Sequence, residues 1–447
     1  MKTILTYCML VLCCIGGSFA QEKWTLEACI AHAKENSMEA VRQRQENLKL
    51  ASDVKASKGS YFPSLSFSAS QGYSLGNSFN VSTGVGQLNS RYNSFNLSSS
   101  MDLFKGFQNK YKAHIAKLNR DKGAVDTEKI GFEISQTIVS KYLEVLMNKE
   151  IVTLAEHQVE ISAVEVERLK KLFELGLKSK SEYLEMKATH DSDQKELQTA
   201  LNRDINGLLE LQNLLDVKAI KNFDIATIDL TDKDDMIILS SVDSIYNAAV
   251  NNNPVIQSTV LTSEIAEKNI RMAKSSFFPS ISFSYGVGSN YYHIQGSEDV
   301  VFNPATNTFR ENGFFTQLDN NLTHGVGISA NIPIFNKLNT RASVEKAKID
   351  FATAEIELEN QKKELANKIE IAYNDMLSAK SAITAAQSAA LAQEEAFSIN
   401  QRKYKNGLVT NYEFLESKRK LIQTQSELIR AKYEYLFKMK LLELYQN

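Results

Sequence analysis

The sequence predicts a mainly α protein with membrane β: a long-helix, coiled-coil tunnel joined to β-hairpins, built as two internal structural repeats. Three observations predict it. The segment Phe62-Pro63-Ser64-Leu65-Ser66-Phe67-Ser68 returns in the second half of the chain as Phe278-Pro279-Ser280-Ile281-Ser282-Phe283-Ser284, identical at six of seven positions. Both copies alternate apolar residues with serine, the period of a half-buried strand. Prolines stand only at 63, 254, 279, 304 and 333, so Ser64 to Asn253 and Ile334 to Asn447 are free of the residue that most reliably stops a helix.

Residues 1–20 read as a signal peptide: Lys2 supplies the positive region, Ile4 to Ile15 the apolar one, and Ser18-Phe19-Ala20 a small-x-small cleavage site. That apolar run is too short to span a bilayer and no other run reaches eighteen residues, so the mature chain is expected to have no transmembrane helix. Lipid attachment at Cys13 or Cys14 would need a small residue just before the cysteine, and Leu12 and Cys13 stand there instead. Cys29, at helical spacing from Leu26, Ile30 and Ala33, reads as a buried core thiol rather than half of a disulfide. The net charge of -2, or -3 once Lys2 is removed, offers no basic surface for nucleic acid.

The repeats, 21–220 and 221–447, each read helix, hairpin, long helix, tight turn, helix. The first places its hairpin at about 63–104 and its helices at about 105–175 and 178–215; the second places them at about 279–335, 337–405 and 408–446. In the returning strands Phe95, Leu97, Met101 and Leu103 alternate with Asn96, Ser98, Ser100 and Asp102, and Val326 to Ile334 does the same. Between strands, roughly Ser74 to Arg91 and Gly288 to Asn321 read as exposed loops. Beyond the second hairpin the two copies stand further apart in the numbering than the heptapeptides do: Gly176-Leu177 faces Gly407-Leu408, and Glu182-Tyr183-Leu184-Glu185 faces Glu413-Phe414-Leu415-Glu416. The extra length therefore falls inside the second hairpin, where a loop tip tolerates insertion.

A helix from Lys105 to Leu175 would be about 105 Å long, far beyond ordinary globular helices. The last helix carries apolar pairs every seven residues, from Phe414/Leu415 through Leu421/Ile422, Leu428/Ile429 and Tyr435/Leu436, a seam that winds neighbouring helices left-handedly. The alanine-rich stretch from Ala379 to Ala396 suits closely packed helices.

Each strand has about the ten residues that a tilted membrane strand needs. Ser64, Ser66 and Ser68 are expected to face water in a lumen, and Leu65 and Phe67 to face lipid. Aromatics gather at the hairpin bases (Tyr61, Phe62, Phe104, Phe277, Phe278, Phe335) and at the far ends (Tyr73, Tyr92, Tyr291, Tyr292), as two interfacial girdles would. Four strands cannot close a barrel, and open edges are not tolerated in lipid, so strands must be pooled between subunits. Two chains give eight strands and three give twelve; an eight-stranded barrel is filled by its own side chains, so a conduit favours three.

The signal peptide, the duplicated Phe-Pro strand entries (Phe62, Pro63, Phe278, Pro279), the long helices and the two Gly-Leu turns each followed by an acidic and apolar quartet resemble the TolC-like outer membrane efflux proteins. The resemblance covers about Trp24 to Leu444 and rests on order and doubled spacing rather than on one motif. It implies a homotrimer in which four strands per chain make a 12-stranded outer-membrane β-barrel, continued by a helical tunnel across the periplasm. It implies contact with outer-membrane lipid, docking onto a periplasmic adaptor, and work with an inner-membrane pump of RND, ABC or MFS type. Gly176, Leu177, Gly407 and Leu408 would be the adaptor-contacting knobs. An acidic constriction falls on Glu413 and Glu416, with Glu182 as the first-repeat counterpart, and Tyr404 takes a position that helps hold the tip shut. Val409 stands where the family often carries arginine. A ring of glutamates would favour cations; the competing reading makes these residues surface glutamates in the first turn of a helix.

No enzyme is expected. The sequence has no H-E-x-x-H, P-loop, G-x-G-x-x-G or G-x-S-x-G, and His32, His114, His157, His190, His293 and His324 lie far apart, so no catalytic residue, metal ligand or cofactor site is assigned. The rival reading is an exported trimeric coiled-coil adhesin or surface structural protein, which would anchor at one chain end and be poor in strands. The internal hairpins flanked by helices argue against it. Cargo is left open among drugs, metal ions, peptides and whole proteins.

Overall fold

The structure, a computed structural model, describes residues 23–80, 84–87, 89–217, 223–228 and 241–446. The expected signal segment, with Cys13 and Cys14, lies outside them, as does part of the first hairpin loop. Helices α1 (Leu26–Asn36) and α2 (Met38–Gly59) lead into strands β1 (Ser64–Ser74), β2 (Asn77–Asn80), β3 (Gly84–Gln87) and β4 (Ser90–Lys105). Helices α3 (Gln108–Glu174) and α4 (Lys180–Leu214) follow. The plan then recurs: α5 (Val242–Asn252), α6 (Pro254–Ser275), β5 (Ser280–Ile294), β6 (Val300–Asn303), β7 (Thr308–Glu311), α7 (Phe314–Asn320), β8 (Thr323–Asn331), α8 (Asn339–Lys405) and α9 (Asn411–Gln446). The long helices α3 and α8 both run 67 residues. No described helix is long and apolar enough to cross a membrane.

The same local devices punctuate both repeats. The break between α1 and α2 falls at Ser37, and the one between α5 and α6 at Asn253, the matching place in the second copy; Pro254 then opens α6 at the position where a missing N–H costs nothing. Each long helix is entered through two successive residues in the left-handed region, Gly106 and Phe107 in the first copy and Lys337 and Leu338 in the second. Gly106 has a further reason to be glycine: a Cβ there would lie 2.2 Å from the Ser275 carbonyl oxygen.

The chain forms two compact units. One gathers the chain up to Gln45, Val125–Ser258, and everything from Glu359 on. Its main core packs Leu26, Cys29 and Ala33 of α1 against Ile138, Tyr142 and Val145 of α3 and Leu211 of α4. The Tyr142 hydroxyl lies 2.6 Å from the Ala226 carbonyl oxygen and 2.9 Å from that of Trp24. It thereby pins the short parallel bridge between Trp24 and Ile225. Cys29 is fully buried, and burial pushes its thiol up to about 12, the behaviour of an inert core residue.

The second unit, Glu46–Ala124 and Thr259–Leu358, holds a four-stranded antiparallel sheet of order β1-β4-β5-β8 and two two-stranded ribbons, β2-β3 and β6-β7. The β4/β5 pairing joins the two hairpins, leaving one flank of β1 and one of β8 without a partner strand among the described residues. Register sorts the side chains cleanly. Leu65, Phe67 and Ala69 lie opposite Ser99, Leu97 and Phe95; those continue across to Tyr285, Val287 and Ser289, and Phe283 faces Ile328. A bulge between Asp102 and Phe104 keeps Phe104 on this apolar face, opposite Ile281. The other face carries serine on serine, with Ser64–Ser100, Ser66–Ser98 and Ser282–Ser329 hydroxyls 2.8–2.9 Å apart.

Three expectations are corrected. The second hairpin ends at Asn331, not near 335, because Pro333 has no N–H to give a ladder. The stretch 288–321 is not a plain loop: β5 runs through it to Ile294, and β6, β7 and α7 fill the rest. The far aromatic girdle does not form as expected, since adjacent strand residues point to opposite faces. Tyr73 lies on the apolar face, Tyr92 and Tyr292 fall on the serine face, and Tyr291 is buried against Phe314 of α7, with ring centroids 5.0 Å apart.

Candidate functional site

Two helical hairpins, α3/α4 and α8/α9, each turn through a glycine and the same sequence of bonds. In the first, Gly176 at φ 73° donates to the Phe173 carbonyl and Leu177 donates to that of Leu172. In the second, Gly407 at φ 71° donates to Tyr404 and Leu408 to Lys403. This is the Schellman closure, and it needs a left-handed residue at the glycine position. The helix that follows opens with a capping box. Ser179 Oγ accepts from Glu182 N while the Glu182 carboxylate accepts from Ser179 N; Thr410 and Glu413 repeat the exchange at 3.2 and 2.8 Å. Leu177 and Leu408 are exposed at these turns.

The site glutamates thus all have local partners. Glu182 also meets Lys178 at 3.1 Å. Hydrogen bonds from the Thr410 backbone and hydroxyl hold the Glu413 carboxyl below its ordinary range. Arg419, at 2.9 Å, does the same for Glu416, with Lys420 3.8 Å away. Glu413 is exposed and Glu416 half-buried, both beside a buried stripe of α9 made by Asn411, Phe414, Ser417 and Lys418.

Beneath the turns lies a small core of Leu169, Met186, Phe397, Tyr404, Phe414 and Leu421, with Val409 packed against it. An apolar valine at 409 fits this setting, where a basic side chain would be desolvated. Tyr404 stacks on Phe414 at 4.5 Å and 9°, and the Arg168 guanidinium lies 4.9 Å from its ring centroid. Burial pushes the Tyr404 phenol up to about 12, so it stays a donor, bonding Asn411 Oδ1 at 2.9 Å. Asn411 in turn donates to Glu185 of α4 at 2.9 Å. Two turns further along, Lys418 of α9 is buried against Asp193 of α4 at 2.5 Å, beside the Gln158 carbonyl of α3. Near the turns the two helical hairpins are therefore joined by one cation–π contact, Arg168 over Tyr404, and two polar links, Asn411–Glu185 and Lys418–Asp193.

Sequence reasoning picked out Tyr404 but missed Arg168, Glu185, Asn411, Lys418 and Asp193. Asn411 and Lys418 recur at the period of the apolar seam, so polar residues on that seam were the available signal. Phe62, Pro63, Phe278 and Pro279 stand at the sheet's base in the other unit; Phe278 packs edge-on to Phe107, which packs edge-on to Phe104. No group of three or more His, Cys, Asp or Glu suited to a metal occurs among the described residues.

Against known proteins, the family model for "Outer membrane efflux protein" matches residues 30–216 and 245–444. Outer membrane protein TolC of Escherichia coli (strain K12) is 21% identical over 302 residues, covering 66% of this chain and 57% of TolC. Alkaline protease secretion protein AprF of Pseudomonas aeruginosa is 21% identical over 304 residues, covering 68% of this chain and 59% of AprF. The chain thus matches less than two thirds of the length of these curated relatives. The fold matches the outer membrane protein VceC of Vibrio cholerae with a TM-score of 0.73 at 15% identity, covering 94% of this chain and 96% of that one. A match running through both repeats, on a chain whose strands and turns are themselves duplicated, places this protein in the outer membrane efflux protein family.

Proposed function

We propose that the chain is the outer-membrane exit duct of a tripartite efflux pump or a type I secretion system: a passive channel, not an enzyme, opened by a periplasmic adaptor and an inner-membrane transporter of RND, ABC or MFS type. One observation carries the reading. A four-stranded sheet exposes much of an apolar face, with Leu65 73% and Ile328 70% exposed, and among the described residues leaves a strand edge without a partner strand on each side. Lipid suits that face, and only other copies of the chain can satisfy those edges within lipid. Three copies close twelve strands, enough to leave a lumen lined by the serine face. The signal segment 1–20 and two efflux repeats, 21–220 and 221–447, belong to the same reading.

The helical turns form the adaptor-facing tip, with Gly176, Leu177, Gly407 and Leu408 as contacts. The exposure of both leucines supports this. Tyr404 helps hold the tip closed through Phe414 and Asn411. In a threefold ring Glu413 sets the charge of the entrance, because Glu416 shares its charge with Arg419 and Lys420; Glu182 serves mainly as a cap. Passage opens when the α8/α9 hairpin parts from α3/α4.

Planar-bilayer recording tests the proposal. The mature protein, extracted from the outer membrane fraction, should give discrete channels that favour cations. Glu413→Ala should lower that preference more than Glu416→Ala. Release of the chain as a soluble periplasmic monomer would overturn the duct reading, and unchanged selectivity in Glu413→Ala would overturn the gate assignment alone.

A further inference from the structure

The polar face of the sheet is nearly featureless until its loop end. From the strand bases inward it presents serine, glycine, asparagine and threonine, and its two charges, Asp102 and Lys105 at the base, pair with each other at 3.1 Å. Among the described residues of the sheet, only two aromatic side chains share this face, Tyr92 and Tyr292, and the register sets them directly opposite each other on β4 and β5. Both are about half exposed.

Each tyrosine is held. On one flank of Tyr92 stands Gly72, its partner on β1, and a Cβ there would lie 2.2 Å from Tyr92 Cζ. The ring therefore lies across the glycine, towards the free edge of β1. On the other flank, β8 stops pairing with β5 at Gly288, and α7 takes over the edge. Buried Gln317 of α7 accepts from Tyr292 N at 3.0 Å and donates to Tyr292 O at 3.1 Å, substituting for the missing strand. Asn321 donates to the Asn290 carbonyl at 2.7 Å. The longer hairpin of the second repeat thus includes a helix that fixes the backbone of one tyrosine.

We propose that Tyr92 and Tyr292 form the size-limiting collar of the strand-walled section, at the end away from the strand bases, presenting ring faces rather than charge to what passes. This rests on the reading of the serine face as the lumen. Three copies bring six rings to one level of a wall otherwise lined by short side chains, and each ring adds bulk there that a serine or glycine does not. The flanking glycines and hydroxyls cannot narrow the path, so the collar sets the cut-off by size.

The test places a cysteine beyond the collar. Ser66→Cys lies deeper along β1 than Gly72, by roughly 20 Å at the rise of a strand. Cys29 is buried and stays silent. Intact cells carrying the full chain receive maleimides from outside, either small or carried on polyethylene glycol of graded length, so the helical tip is not in the path. The small reagent should label Ser66→Cys in every background. The long reagents should label it roughly tenfold faster when Tyr92→Ser and Tyr292→Ser are added, because pore-lining bulk has been removed. Tyr92→Phe with Tyr292→Phe, which keeps the rings, should exclude them as the parent does, and Tyr292→Ser alone should fall between. Equal labelling by long reagents in all backgrounds overturns the collar while leaving the lumen reading intact. No labelling of Ser66→Cys by the small reagent overturns the lumen reading and the collar with it.

Discussion

A buried lysine decides how firmly the two helical hairpins hold together. Lys418 is 4% exposed, and its partners come from the other hairpin: the Asp193 carboxylate on α4 and the Gln158 carbonyl on α3. Removing one member of such a pair strands a charge out of water, at about 3 kcal/mol or more, whereas replacing both with apolar residues of similar volume is close to neutral. Lys418→Met should therefore lower the urea midpoint of helix unfolding in detergent, and Lys418→Met with Asp193→Leu should recover most of the loss. Equal destabilisation in single and double variants would mean that the pair contributes through shape rather than charge. The link suits a joint that must open: an all-apolar seam would hold two helices together without a bond that water can replace.

At the scale of elements, the capping boxes make a second prediction. Ser179→Ala and Thr410→Ala should each cost about 1 kcal/mol of local stability at the start of α4 and α9. Hydrogen exchange of the first-turn amides would read it, and unchanged protection would rule out the caps as determinants of the tip. The pH dependence has a fixed sign. The Glu413 carboxyl is held below its ordinary range by the Thr410 N–H and hydroxyl, so its contribution is present above the unfolded value of about 4.3 and lost as pH falls through the lower, folded one. First-turn protection in α9 should therefore persist down to the ordinary carboxylate range and fade only in stronger acid. Much of this element-level structure was legible in the sequence. The duplicated heptapeptide, the Gly-Leu turns and the Glu in the third position after Ser179 or Thr410 are local signals, each with a local cause. What escaped depended on pairing at a distance. That Tyr92 meets Tyr292 rather than lipid follows from the register of strands that belong to different repeats, and α7 covers an edge that exists only because β8 stops short. The adjacent Tyr291 and Tyr292 did carry a signal, since neighbours in a strand cannot share a face.

For the whole molecule, the sheet itself argues for a number of chains. Among the described residues, one chain gives this sheet four strands and two edges without a partner strand, β1 and β8. Each unpaired strand group left in hydrocarbon costs several kcal/mol, so a lone chain has no stable place in lipid. Two chains would pair both edges and close eight strands, but an eight-stranded barrel is filled by side chains of ordinary size. The inward face here is mostly serine, glycine and asparagine. Eight such strands would leave a void that side chains this small cannot fill, and twelve leave a water-filled lumen in which their hydroxyls are solvated. Sedimentation of the detergent-extracted protein should therefore give the mass of three chains, with a form that resists dodecyl sulfate until heated. A two-chain mass would mean that the serine faces pack against each other, and the lumen reading would fall. A one-chain mass would mean that no other copy pairs with β1 and β8, and the pooled barrel would fall.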